Sequence, residues 1–79
     1  MTSEQLRAVR DASPFRPFTV LLADGRSLRV PHRDFLSVSP GGRTVIIYQA
    51  AEAFSVLDLL LVTELAAEGS QAPTDGEPA

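Results

Sequence analysis

The chain has no cysteine, no lysine and no tryptophan, and its 79 residues include one histidine, one tyrosine and four phenylalanines. Without cysteine, disulfides and thiolate metal sites are both excluded. A lone His32 excludes any site built on several imidazoles. The longest apolar run, Leu59 to Val62, is far too short to cross a bilayer, so no membrane role is expected. The N-terminus is polar and lacks the apolar stretch of a secretory signal, which makes a cytoplasmic location the default expectation. No residue pattern calls for a cofactor.

Length sets the next bound. A chain of 79 residues makes one small domain, and such a domain buries only about 60% of the surface its unfolded form exposes. Small domains normally add disulfides, a metal or a partner chain to a marginal core. With thiols absent, good barrel closure or self-association is left.

Charge is unevenly spread. Through Leu65 there are seven arginines (Arg7, Arg10, Arg16, Arg26, Arg29, Arg33, Arg43) and seven acids (Glu4, Asp11, Asp24, Asp34, Glu52, Asp58, Glu64), which cancel. The net charge of −3 therefore comes from Glu68, Asp75 and Glu77. A balanced body does not make the field that draws nucleic acid. From Ala66 to Ala79 the composition is Gly, Ser, Gln, Pro, Thr, Asp, Glu and Ala, so residues 66–79 are expected to form a disordered acidic tail after a domain spanning 1–65.

What is present is β pattern. Phe18 to Val30 reads as a hairpin: Phe18, Val20 and Leu22 alternate onto one face, Leu28 and Val30 join them, and Asp24-Gly25 suits a type I′ turn. Upstream, Thr2 and Gln5 have capping-box spacing for a helix from Ser3 to Ala12 with Leu6 and Val9 on its apolar stripe. Ser13-Pro14 stops that helix. So short a helix must lie on something, and the hairpin is the expected platform. Phe15 and Phe18, held by Pro14 and Pro17, are expected to wedge helix against sheet.

Pro31 ends the ladder, His32-Arg33-Asp34 makes a polar corner, and Phe35 to Ser39 resumes alternation with Leu36 and Val38 on one side. Pro40-Gly41-Gly42 turns into Arg43 to Tyr48, whose near-continuous β-branched run predicts a strand buried on both faces or covered by another subunit. Phe54-Ser55-Val56 alternates again. Leu57 to Leu65 reads two ways. A helix would put Leu57, Leu61, Glu64 and Leu65 on one face and strand the other leucines. The preferred reading is a short strand through Val56 or Leu57, a 3₁₀ turn at Asp58 to Leu60, and a last strand from Leu61 to Leu65.

This order is similar to the Sm-like and SH3-like small barrels, which implies a mainly β (α+β) fold: a strongly bent antiparallel sheet or barrel of about five strands with one N-terminal helix. The segments Pro14-Phe15-Arg16-Pro17-Phe18, Asp24-Gly25-Arg26, Val30-Pro31-His32, Asp34-Phe35, Ser39 to Thr44 and Asp58-Leu59 also resemble a group of short bacterial proteins, planctomycete ones among them. That likeness covers residues 3 to 65 and brings no activity with it.

Chemistry is sparse. Ser37 or Ser39 with His32 and Asp34 has the residue types of a hydrolytic triad, but a single continuous strand does not make them converge, so no enzyme is expected. His32 and Asp34 with Glu52 or Asp58 match no common metal spacing. Gly41-Gly42-Arg43-Thr44 offers backbone amides and a guanidinium, yet leads into a strand rather than the helix a phosphate loop needs.

The expected function is a non-enzymatic protein-interaction or self-assembling module, pairing through Val45 to Tyr48 or Leu61 to Leu65. The alternative is nucleic-acid binding on an arginine-bearing rim, with Phe15, Phe35 or Tyr48 stacking on bases. The residues expected to touch a partner or anion are Arg26, Arg29, Arg33, Arg43, His32, Phe35 and Tyr48.

Overall fold

The computed structural model describes residues 1–50 and 52–68. In chain order it has helix α1 (Ser3–Arg10), strands β1 (Phe18–Leu22) and β2 (Ser27–Val30), a 3₁₀ turn (Arg33–Phe35), strands β3 (Leu36–Val38), β4 (Thr44–Tyr48) and β5 (Phe54–Asp58), a second 3₁₀ turn (Leu59–Leu61), and strand β6 (Val62–Ala67). The fold is mainly β with one N-terminal helix. The strands form two three-stranded antiparallel sheets, ordered β2-β1-β6 and β3-β4-β5, rather than one closed barrel of about five strands. The polar corner at His32 to Asp34 is the reason: the 3₁₀ turn there breaks what would be one bent strand into β2 and β3, which belong to different sheets.

Helix α1 forms as its sequence predicts. Thr2 Oγ1 accepts from Gln5 N–H at 3.1 Å, and Gln5 Oε1 accepts from Thr2 N–H at 3.0 Å. The helix ends at Arg10, two residues before Ala12, with Asp11 as its C-cap and a cis Ser13-Pro14 peptide beyond. Leu6 is fully buried and Val9 packs against the core. The platform differs from expectation. Arg7 Nη2 donates to Ser39 O at 3.0 Å, and Ser3 Oγ lies 2.9 Å from where a Cβ on Gly42 would stand, so the helix rests on β3 and the turn after it.

Alternation fixes the core. Phe18, Val20, Leu22 and Val30 of one sheet meet Leu36, Val45, Ile47 and Leu57 of the other, with Leu6, Leu59 and Val62 closing the cluster. Phe15 meets Phe18 edge-on at 6.0 Å and packs against the core. Strand β4 turns only Val45 and Ile47 inward, and Thr44 and Tyr48 are exposed. Its β-branched run is therefore buried on one face, not both.

The turns follow loop length more than the Asp-Gly signal suggests. Gly25 N–H donates to Leu22 O at 3.0 Å and Leu22 N–H to Arg26 O at 2.9 Å, leaving a three-residue loop. Ala23 and Asp24 are the central residues, and Gly25 follows with φ 93. This is a three-residue loop closed by a left-handed glycine, in place of the expected two-residue type I′ turn. Between β1 and β6 the register shifts at Leu21 and Leu22, and the Thr63 hydroxyl donates to Leu21 O at 3.1 Å across that bulge.

The Leu57 to Leu65 segment takes the strand, turn and strand reading, displaced by one residue. Asp58 caps the 3₁₀ turn by accepting from Leu60 N–H at 2.9 Å. Strand β6 runs two residues beyond Leu65, through Ala66 and Ala67, so those residues leave the expected tail and join the sheet. The remaining stretch, 69–79, lies outside the described residues. Among the described residues no helix is long and apolar enough to cross a membrane.

Candidate protein-interaction surface

The outer faces of the two sheets differ in chemistry. On the β2-β1-β6 sheet, Thr19, Ser27, Arg29 and Glu64 point away from the core around half-buried Leu21. On the β3-β4-β5 sheet, the pairs Ile46 with Val56 and Tyr48 with Phe54 occupy that position. Phe54 and Val56 are each 58% exposed and Tyr48 41%. The Tyr48 and Phe54 rings tilt together at 6.2 Å. One end of the face is polar, where Thr44 pairs with Asp58 and Arg43 lies 3.6 Å from the Asp58 carboxylate.

At the other end the face opens into a concavity of about 490 Å³, lined by Asp34, Phe35, Ser37, Tyr48, Gln49 and Ala50. The first 3₁₀ turn supplies Asp34 and Phe35, the edge strand β3 supplies Ser37, and β4 ends there with Tyr48. A second hollow shares Asp34 and Ser37 and continues along β3 toward Arg10, Asp11 and Arg33. The His32 ring lies 5.6 Å from that of Phe35. Among the described residues Asp34 has no ion pair and no side-chain hydrogen bond.

The structure thus brings Phe35 and Tyr48 to one groove, with His32 beside Phe35. The arginines have separate partners. Arg26 pairs with Asp24 at 2.9 Å, Arg29 with Glu68 at 2.6 Å, and Arg43 with Asp58. Arg33 donates to Arg10 O at 2.9 Å and Ala12 O at 2.6 Å, and lies over the Phe15 ring at 5.6 Å. Phe15 itself is half-buried against the core.

The pairing shifts several ionisations. Hydrogen bonds from Arg26, first from its backbone N–H, hold the Asp24 carboxyl below the ordinary carboxylate range. The Arg29 guanidinium does the same to Glu68, and that of Arg10 to Asp11. Ser39 Oγ accepts from Thr44 N–H at 3.1 Å, which uses this hydroxyl to close a turn. Among the described residues no three His, Cys, Asp or Glu side chains gather as ligands for one ion.

Two features escape the sequence reading, one on this surface and one at the end of β6. Phe54 and Val56 alternate visibly, but the side they face was not assigned; their parity with Ile46 and Tyr48 across a β4–β5 hairpin was the available signal. Glu68, placed in the tail, proves to be an anchoring residue. Comparisons with protein-family models, with curated proteins and with solved structures found no match.

Proposed function

We propose that this protein is a non-enzymatic interaction module whose contact surface is the outer face of the β3-β4-β5 sheet, with self-association as its first form. The observation that carries the reading is the exposed cross-strand group Tyr48, Phe54 and Val56, with half-buried Ile46 beside Val56, on a sheet whose other face is the core. Contiguous exposed apolar surface with a polar rim favours burial against another protein. A small core without disulfides gains most from that burial.

The contact differs in kind from simple edge pairing at β4. That strand already pairs with β3 and β5, so Val45 to Tyr48 offers a face, not a free ladder. Strand β6 keeps one free edge, as do β2, β3 and β5. If β2 and β3 are counted as one strand interrupted by the 3₁₀ turn, the order becomes β6-β1-β2/β3-β4-β5. That order supports kinship with the Sm-like and SH3-like small barrels, which we offer as a proposal together with the likeness to short planctomycete-type proteins. The nucleic-acid alternative draws less support, because Arg26 and Arg29 are each hydrogen-bonded to a carboxylate and Arg33 to backbone carbonyls.

Sedimentation equilibrium between about 10 and 500 µM tests the reading, since a face of this size belongs to weak association. The expected result is a mass that rises with concentration in the wild type and far less in Val56→Asp. A monomer at every concentration contradicts it.

A further inference from the structure

The proposed contact face carries an exposed arginine, loosely paired with Asp58, at one end and an unpaired carboxylate among the described residues at the other. At the start of β4, Arg43 is 70% exposed in its side chain and stands 3.6 Å from Asp58, the longest of the four ion pairs. Beyond the end of β4, Asp34 lines the groove with Phe35 and Tyr48 and has no ion pair among the described residues. The other cation near that groove, Arg33, already donates to two backbone carbonyls.

A guanidinium is what this groove suits. It carries a carboxylate to accept the N–H donors and two aromatic side chains, against which a planar cation is favourable. We infer that the occupant of the groove is Arg43 of a second copy, in an isologous dimer formed face to face on the β3-β4-β5 sheets. This rests on the interaction-module reading and adds its partner and register.

The symmetry follows from the placement. A two-fold axis lying between the two faces and running across the strands sets the β4 strands antiparallel to each other. The Arg43 end of one copy then covers the Asp34 end of the other, twice. Ile46 and Val56, paired at the middle of the face, meet their own counterparts near the axis. Stacked sheets lie about 10 Å apart, within the combined reach of an arginine and an aspartate. The face itself measures roughly 17 Å along the five-residue strands β4 and β5, less along three-residue β3, and roughly 14 Å across the three strands. A dimer buried over so little area is weak. The charges fix its register more than they add affinity.

A charge exchange tests this. In sedimentation equilibrium, Asp34→Arg alone and Arg43→Asp alone each weaken self-association at least tenfold, because each homodimer holds two like-charge contacts. Mixed in equal amounts, the two variants associate within about threefold of the wild type, since the mixed dimer rebuilds both contacts. Adding Val56→Asp to either partner abolishes that recovery. Single variants that associate like the wild type overturn the inference, and so does a mixture no tighter than its components. A wild type that never associates removes the underlying reading as well, so the two failures are told apart. Should either variant lose the amide dispersion of the folded protein, Asp34→Lys with Arg43→Glu makes the same exchange.

Discussion

Arg29 and Glu68 meet as two forks: Arg29 Nε donates to Glu68 Oε2 at 2.6 Å and Nη2 to Oε1 at 3.1 Å. The backbone of Glu68 is held as well. Its N–H donates to Pro17 O at 2.8 Å, and its carbonyl accepts from Arg16 Nε and Nη2 at 3.2 and 3.1 Å. The end of β6 is thereby tied to the start of β1 and, through Arg29, to β2.

This anchor makes stability fall in acid. Glu68, Asp24 and Asp11 all have carboxyls held below their ordinary values by arginine partners. In acid the unfolded chain then binds more protons than the folded one. The stabilisation is present in full above about pH 4.5 and is lost as pH falls through the lowered folded values. Denaturant midpoints at pH 7, 4 and 3 should therefore decrease in that order, and the decrease should be smaller in Glu68→Gln. An equal decrease in the variant contradicts the assignment to Glu68.

Leu6 is the one fully buried side chain of α1. Leu6→Ala removes a core side chain and leaves a cavity, at a cost of about 2–5 kcal/mol. That is a large part of the stability of any small domain. The expected outcome is a protein largely unfolded at 37 °C by circular dichroism, against a milder loss of about 1 kcal/mol for Thr2→Ala at the capping box.

Adjacent glycines should respond in opposite ways. Gly42 has φ 77, and a Cβ there would meet Ser3 Oγ at 2.9 Å and Ser3 Cβ at 3.1 Å. Gly41 lies outside the left-handed region and has open space around its Cβ position. Gly42→Ala should cost about 1–3 kcal/mol, from backbone strain together with displacement of α1. Gly41→Ala should be neutral or stabilising by up to about 1 kcal/mol. Thermal melts of the two variants make the comparison, and equal shifts contradict it.

Strand positions are legible because the period of two survives in Phe18-Val20-Leu22 and Phe54-Val56, and because β-branched residues crowd Arg43 to Tyr48. The Leu57 to Leu65 run was harder. Its leucines serve three environments, with Leu57 and Leu59 buried, Leu60 73% exposed and Leu65 half-buried, and no single period describes that. The Asp24-Gly25 pair fits a three-residue loop with a left-handed glycine as well as a two-residue one, so the turn was read one residue short. The arginine partners were out of reach for another reason: Arg29 and Glu68 are 39 residues apart, and only the β1–β6 pairing brings them together. Of the interaction surface, Phe35 and Tyr48 were named in advance as aromatics. Their shared groove depends on the 3₁₀ turn that splits β2 from β3.

The most direct test of the central claim is a dilution series of amide NMR spectra on the uniformly ¹⁵N-labelled wild-type chain. Between about 10 and 500 µM, the account predicts concentration-dependent shifts at Ile46, Tyr48, Phe54 and Val56, extending to Asp34 and Arg43, with Thr19, Ser27 and Glu64 unchanged. Shifts confined to the β2-β1-β6 sheet, or spectra that stay identical over that range, contradict it.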